Sequence, residues 1–472
     1  MVHAVPQRPL GRLPVNFFRH HFNPPLVLLA AIELAAFAVA PLLAARLLWG
    51  GGWHEALVAG WPLVSYALLN SIAIGATGLY HRRQRNRFIG VLARVGVAIA
   101  AGSAAVGLFS YLLPDAAVPR SVLLTAGIFS GVLVGFARFV FEHVVDEERF
   151  KNLVLVLGAG NRAMSLARLR RRSDQRGYRV HGYIPMTGDA VAVPTEELLA
   201  TPDNLLVYCR EHDIDEVVVG MDDRRTAFPV GDLLDCRLAG IGVIELIDFL
   251  ERETGRVRLD VVNPSWMIFS GGFAHHPVQL AVKRALDIGA SVVLLAFAWP
   301  ILLLAMLAIK LEDGLRAPVF YRQTRVGLDG KPFDVLKLRS MRTDAEKAGA
   351  QWAVKGDPRV TRVGHFCRIT RIDELPQIIN VLRGDMAFVG PRPERPPFVD
   401  RLSEMIPYYR ERHCMKPGIT GWAQLCYPYG ASDHDSAQKL EYDLYYVKNH
   451  SLLFDLMILM QTVEVVLWGR GR

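Results

Sequence analysis

Apolar residues form four long runs in the first third of the chain, at 26–49, 61–80, 88–113 and 121–140. Each approaches or exceeds the ~20 residues a helix needs to cross a bilayer. They predict a bundle of four transmembrane helices over residues 1–145. Glu33 and Asn70 are polar groups inside these runs, expected to pair across the bundle or to mark function. Arg8, Arg12 and Arg19 precede the first run, and His81-Arg82-Arg83-Gln84-Arg85-Asn86-Arg87 joins the second to the third. The joints at 50–60 and 114–120 carry little positive charge. By the positive-inside rule both ends of the bundle are cytoplasmic.

Beyond a charged joint at 141–151 the pattern changes. Leu153-Val154-Leu155-Val156-Leu157 reads as a buried strand, and Gly158-Ala159-Gly160-Asn161-Arg162-Ala163 opens a helix predicted to reach Arg172. Further strands are predicted at 178–184, 216–221 and 243–247, with helices at 195–213 and 228–239. Such alternation gives a Rossmann-like parallel α/β domain over 146–265. Gly-x-Gly-x-x-Ala occurs at dinucleotide-binding turns. The second strand, however, ends Tyr183-Ile184-Pro185-Met186, with no acid to take a ribose hydroxyl. The glycines equally serve a tight turn and close helix packing, so the domain's ligand stays open.

An irregular stretch predicts a linker over 266–280. Residues 281–310 are then apolar but interrupted by Trp299-Pro300. A proline removes a helix hydrogen bond and kinks the chain. A spanning helix would export a C-terminal part dense in Lys and Arg. The prediction is a membrane helix that bends at Pro300 and returns to the cytoplasmic side. Residues 281–472 read as a mixed α/β domain, closed by a helix at 452–468 that suits the membrane surface.

Composition agrees with a membrane protein. Of 472 residues, 51% are hydrophobic, and the net charge is +8. Such a charge suits an anionic leaflet or anionic substrates; the apolar runs argue against nucleic acid as the partner. The 5 cysteines are scattered without Cys-x-x-Cys spacing, so neither a disulfide framework nor a zinc site is expected. The first apolar run is too long for a cleavable signal peptide.

The candidate chemistry lies in Arg371-Ile372-Asp373-Glu374-Leu375-Pro376-Gln377. Pro376 belongs in the first turn of a helix, which would place Asp373 and Glu374 at its mouth, where carboxylates stay ionised. Neighbouring helical residues point about 100° apart, so one carboxylate can face a phosphorus while the other holds a metal. In Phe333-Asp334-Val335-Leu336-Lys337-Leu338-Arg339, strand alternation puts Lys337 and Arg339 on one face, a candidate diphosphate cradle. Arg371 and Arg392, the latter in Gly390-Pro391-Arg392-Pro393-Glu394, offer forks for phosphate oxygens. Lys416-Pro417-Gly418-Ile419-Thr420-Gly421-Trp422 can shape a pocket for a base or sugar, with Trp422 as pocket wall, core residue or interface anchor.

Together these motifs, in this order from about Lys283 onwards, resemble the catalytic domain of the bacterial sugar transferases, the monotopic polyprenyl-phosphate glycosyl-1-phosphate transferases. The resemblance implies a phosphotransferase with Asp373 as nucleophile and Glu374 as Mg²⁺ ligand. It implies phosphate contacts from Arg392, Lys337, Arg339 and Arg371, and a substrate pocket from Arg322, Gln323, Pro391, Thr420, Gly421 and Trp422. The substrates would be a UDP-sugar and polyprenyl (undecaprenyl) phosphate, exchanged through a phosphosugar–aspartate with release of UMP. It further implies a re-entrant helix broken at Pro300, a homodimer, and an inner-membrane location with the catalytic domain facing the cytoplasm. Family members often carry Ser where Trp299 stands. A nucleotide-sugar dehydratase or epimerase would call for Tyr-x-x-x-Lys, absent from this chain; a non-catalytic scaffold would not need Asp373, Glu374 and Arg392 intact.

Overall fold

The computed structural model describes residues 15–17, 20–22, 24–50, 60–77, 79, 88–112, 118–144, 151–169, 177–223, 225, 228–262, 264–273, 277–314, 316–342, 357–427, 430 and 432–468. The chain divides into two compact units, Met1–Thr254 and Gly255–Arg472.

The first unit begins with four apolar helices: α1 (Pro24–Trp49), α2 (Trp61–Ala76), α3 (Phe88–Leu112) and α4 (Arg120–Val144). Their shared core includes Phe37, Tyr66, Ile74, Val95 and Val134. Three of them are long and apolar enough to cross a bilayer. The second run is a correction: α2 has 16 residues and stops at Ala76, a rise of about 24 Å. That is short of the ~30 Å hydrocarbon core. Thr77 ends it by folding its hydroxyl onto Ile74 O at 2.8 Å. Glu33 pairs across the bundle with Arg138 at 2.6 Å. Asn70 instead donates to Tyr66 O of its own helix. The arginines at 8, 12, 19 and 82–87 lie outside the described residues.

Next comes a parallel sheet of β1 (Asn152–Leu157), β2 (Tyr178–Ile184), β3 (Glu216–Val219) and β4 (Gly242–Glu245), in the order β2-β1-β3-β4. Leu155, Leu157, Val217 and Val219 lie in its core, as continuous apolar strands buried on both faces should. The helix α5 (Asn161–Ala167) follows the glycine turn; residues 170–176, where it was predicted to end, lie outside the described residues. The helix expected over 195–213 is one 3-10 turn, Thr195–Glu197, then a separate helix α6 (Leu205–Glu211). Pro202 stands between them, and Asn204 starts α6 by accepting from Val207 N at 3.0 Å. The helix α7 (Val230–Leu238) falls where predicted, and β4 gives way at Leu246 to α8 (Leu246–Thr254).

The second unit is built on the long helix α9 (Pro277–Asp313), 37 residues with Pro300 inside. Strands β5 (Phe320–Val326) and β6 (Pro332–Leu338) form an antiparallel hairpin. Helix α10 (Arg362–Thr370) leads through a 3-10 turn, Ile372–Glu374, into α11 (Gln377–Arg383). Strand β7 (Ala387–Val389) pairs in parallel with β8 (Gly418–Thr420). Helices α12 (Asp433–Asn449) and α13 (Leu452–Trp468) close the unit. The stretch expected as a linker includes a short helix, Pro264–Phe269, whose Trp266 ring lies 4.0 Å from Lys448 Nζ.

Helix α9 buries one stripe: Lys283, Asp287, Ser291, Ala298, Ala305 and Ile309. Its other faces are apolar and bare, with Val293, Phe297, Trp299, Leu304 and Leu311 exposed. Near its start, Lys283 donates to Val389 O at 3.0 Å and to Asp455 Oδ2 at 2.6 Å, and Phe388 N donates to Asp287. Near its end, Ala305 and Ile309 pack with Val319, Leu338 and Cys367. Both ends therefore dock on the same unit.

Candidate active site

Asn380 is the residue that brings the acids to the hairpin. From α11 its side chain accepts from Leu336 N at 2.9 Å and donates to Asp334 O at 2.7 Å. Strand β6 is thereby fixed against the turn that carries Asp373 and Glu374. Upstream, Arg371 ends α10 in the left-handed conformation (φ 60°), which turns the chain sharply before the acids. The expected arrangement at a helix mouth is thus a 3-10 turn, with Pro376 as the cap of α11.

Three cations converge on Glu374. Lys337 Nζ and Arg392 Nη2 each stand 3.3 Å from Oε1, and Arg371 Nη1 stands 3.6 Å from Oε2. Burial alone would raise this carboxyl. Arg392, Lys337 and Arg371 outweigh it and hold Glu374 down at about 2. Asp373 behaves oppositely. It is 7% exposed, and its Oδ1 has no hydrogen-bond partner among the described residues. Burial, with the charge on Glu374 adding to it, pushes Asp373 up to about 6. It is therefore ionised at neutral pH, as expected, but its carboxyl lies above the ordinary carboxylate range instead of below it. A buried carboxylate with a bare oxygen is a nucleophile or ligand held ready.

Beside these groups lies a small, open pocket lined by Arg325, Lys337 and Arg392 together with Val335, Gln377, Pro393 and Gly418. The loop at 390–394 is shaped by backbone contact: Gly390 N donates to Thr420 O at 2.9 Å, and Gly418 N to Pro391 O at 3.0 Å. A Cβ on Gly421 would sit 2.2 Å from Gly390 O, so only glycine permits that approach. Arg412 holds the loop from behind. It donates to Arg392 O at 3.0 Å and pairs with the buried Asp443 at 2.7 Å.

Not every predicted residue arrives here. Strand β6 ends at Leu338, so the alternation that was to align Arg339 with Lys337 stops one residue too soon. Arg339, itself buried, instead pairs with the partly exposed Asp313 at the end of α9. Arg322 lies on the exposed face of β5, whereas Tyr321, Gln323 and Arg325 face inward. Gln323 sits beneath Arg325, accepting from its Nε at 3.0 Å. Thr420 Oγ1 is hydrogen-bonded to Thr462 Oγ1 at 2.7 Å. Trp422 is partly buried against the core: its Nε1 donates to Gly255 O at 2.7 Å, and its ring packs edge-on against Phe454. Gly418, in the stretch expected to shape a pocket, does line it, while Arg325 and Gln377 are additions from the structure. Counting by twos from Gln323 would have found Arg325.

The glycine turn of the first unit has its amides already engaged. Ala159 N donates to Asp189, and Asn161 N and Arg162 N donate to the two oxygens of Asp222 at 2.9 and 2.8 Å. Its glycines serve close approach: a Cβ on Gly158 would meet the Gly220 backbone at 2.6 Å.

A profile of a family described as bacterial sugar transferase matches residues 278–469. The UDP-glucose:undecaprenyl-phosphate glucose-1-phosphate transferase of Xanthomonas campestris pv. campestris is 32% identical over 353 residues, 71% of this chain and 70% of that one. The chain belongs to the bacterial sugar transferase family. The UDP-N-acetylgalactosamine-undecaprenyl-phosphate N-acetylgalactosaminephosphotransferase of Aeromonas hydrophila is 43% identical over 239 residues, 51% of this chain. That match spans about half of the relative's own length, 55%. An exopolysaccharide production protein of Rhizobium leguminosarum bv. phaseoli is 42% identical over 192 residues, 95% of its length and 39% of this chain. Asp373, Glu374, Lys337 and Arg392 all fall within the part that the family profile covers.

Proposed function

We propose that this chain transfers a sugar 1-phosphate from a UDP-sugar to undecaprenyl phosphate, as the first membrane step of exopolysaccharide or O-antigen assembly. One observation carries the reading: two adjacent carboxylates, one bare and raised to about 6, the other clasped by three cations. The bare one is the nucleophile. Asp373 attacks the β-phosphorus of the UDP-sugar, a carboxylate O–P bond forms, and the P–O bond to UMP breaks with its electron pair leaving on UMP. An oxygen of undecaprenyl phosphate then attacks the same phosphorus, and Asp373 departs as carboxylate. Splitting the exchange lets a soluble and a lipid substrate use one site in turn. Lys337, Arg371 and Arg392 receive the negative charge of the diphosphate.

The residues fit Mg²⁺, which accepts one or two carboxylates and leaves its remaining positions to substrate phosphates and water. Glu374, fully ionised, would hold it, and it would neutralise phosphate oxygens.

Helix α9 supports a re-entrant membrane segment on the cytoplasmic side. Residues 283 and 309 would lie about 39 Å apart in a straight helix, more than the ~30 Å hydrocarbon core. Yet both contact one folded unit. A spanning helix would carry them to opposite sides of the bilayer. Pro300 has no N–H, so Ala296 O loses its helical donor, which makes this the place to bend. The catalytic unit then stays beside the cytosolic nucleotide sugars.

The test is trapping. With radiolabelled UDP-sugar and no lipid acceptor, the wild type retains label on the protein and releases UMP; Asp373→Asn does neither. Turnover of Asp373→Asn at the wild-type rate rules the nucleophile out. A panel of UDP-glucose, UDP-galactose and UDP-N-acetylgalactosamine identifies the sugar.

A further inference from the structure

Arg325 has no part in the chemistry described so far, yet it lines the same pocket as Lys337 and Arg392. Its guanidinium is fixed on three sides. Nε and Nη2 donate to Gln323 Oε1, and Nη1 donates to Pro393 O at 3.0 Å and approaches Glu394 at 3.5 Å. An arginine has five N–H groups, so one hydrogen on Nη2 is left over. No acid stands among the described residues that line the pocket. Lys337 and Arg392 share Glu374, and Arg325 approaches Glu394, so the three cations outnumber the two carboxylates they contact and can take an anion in the pocket. Burial, together with the charge of Arg392, pulls Arg325 down to about 10, as expected for a cation held beside other cations.

The contacts of the three cations differ. Lys337 and Arg392 each stand 3.3 Å from Glu374, whereas those of Arg325 run to Gln323, Pro393 and Glu394. The catalytic acids thus lie on the Lys337 and Arg392 side of the pocket. A diphosphate with its β-phosphorus against Asp373 extends its α-phosphate away from the acids, towards Arg325.

Building on the transferase reading, we propose that Arg325, oriented by Gln323, binds the α-phosphate of the nucleotide donor and holds the departing nucleoside monophosphate. This gives the two half-reactions different requirements. Forming the phosphosugar–enzyme, and its reversal by UMP, needs Arg325. Discharge onto the lipid phosphate, which has no nucleotide, does not.

The experiment uses the full chain in nanodiscs. UMP–UDP-sugar isotope exchange reports the first half-reaction. Single-turnover discharge of preformed phosphosugar–enzyme onto undecaprenyl phosphate reports the second. Arg325→Gln is expected to slow exchange and weaken inhibition by UMP by roughly 10- to 100-fold, the worth of one hydrogen bond to a charged group. Discharge by the same variant, loaded by long incubation, stays within about threefold of wild type on the same energy scale. Arg325→Lys, which keeps the charge and loses the fork, restores part of the exchange. Equal losses in both half-reactions would make Arg325 a strut for the 390–394 loop and overturn the proposal, as would unchanged exchange. A wild type that exchanges no UMP overturns the transferase reading itself.

Discussion

Lys337 stands 3.3 Å from Glu374 Oε1, whereas Asp373, the residue before Glu374, keeps its Oδ1 bare of any partner among the described residues. The pair of acids is thereby split into one that is neutralised by neighbours and one that is not.

That split predicts a pH profile. Asp373 must be ionised to attack, and its carboxyl is raised to about 6. The UMP burst should therefore rise between pH 5 and 7 and level off above. At pH 5 about a tenth of the maximum remains, one unit below the midpoint being tenfold. A burst independent of pH over this range would contradict the assignment. Glu374, held at about 2, contributes no titration there.

The same shift predicts a stability change. Folding disfavours the ionised form of Asp373, a penalty absent below its unfolded value near 4 and complete above about 6. Two units correspond to on the order of 2–3 kcal/mol. Asp373→Asn should therefore melt above wild type at pH 8, with the advantage fading by pH 4. Melting curves at both values check this.

Arg339 and Lys337 should separate by assay. Arg339 is 6% exposed and paired with the partly exposed Asp313, and removing one partner leaves a polar group unpaired at a cost of about 1–3 kcal/mol. Arg339→Met should lower the melting temperature, with Asp313→Asn doing the same. Lys337→Met, which leaves Glu374 with Arg371 and Arg392, should in addition raise the KM for UDP-sugar about tenfold or more, as the loss of a charge-assisted contact does, whereas Arg339→Met should not.

The path of α9 is open to labelling. Val278 and Leu311, near its two ends, are both exposed. In inverted and right-side-out vesicles, Val278→Cys and Leu311→Cys should react with an impermeant thiol reagent from the same, cytoplasmic, side. Labelling from opposite sides would establish a spanning helix. In a Pro300→Ala background the helix regains its hydrogen bond to Ala296 O, and Leu311→Cys is expected to lose protection from the outside reagent.

Trp422 is expected to matter for folding and not for binding. Trp422→Phe keeps the packing on Phe454 and loses the hydrogen bond to Gly255 O. About 1 kcal/mol of stability should go with it, with the KM for UDP-sugar unchanged. A raised KM would return Trp422 to the substrate pocket.

Patterns of short range were legible in the chain itself. The long apolar runs and the short continuous apolar strand from Leu153 are consequences of burying one kind of surface, and each is complete within a few turns or residues. The acid pair and the loop with Arg392 could be read because their chemistry is local. Helix and strand ends were less legible. Thr77 stopping α2, Asn204 starting α6 and β6 ending at Leu338 each depend on a single side-chain or ladder contact.

What the fold alone decided was which charge meets which. Glu33 pairs with Arg138 across 105 residues, and Asn380 joins α11 to β6 across 44. Nothing in either local sequence names its partner. Arg325, Lys337 and Arg392 converge from a hairpin and a distant loop, and Asp373 is raised by burial that no neighbouring residue reveals. Electrostatics falls off with distance in space, whereas the sequence records distance along the chain; the site exists where those two measures differ most.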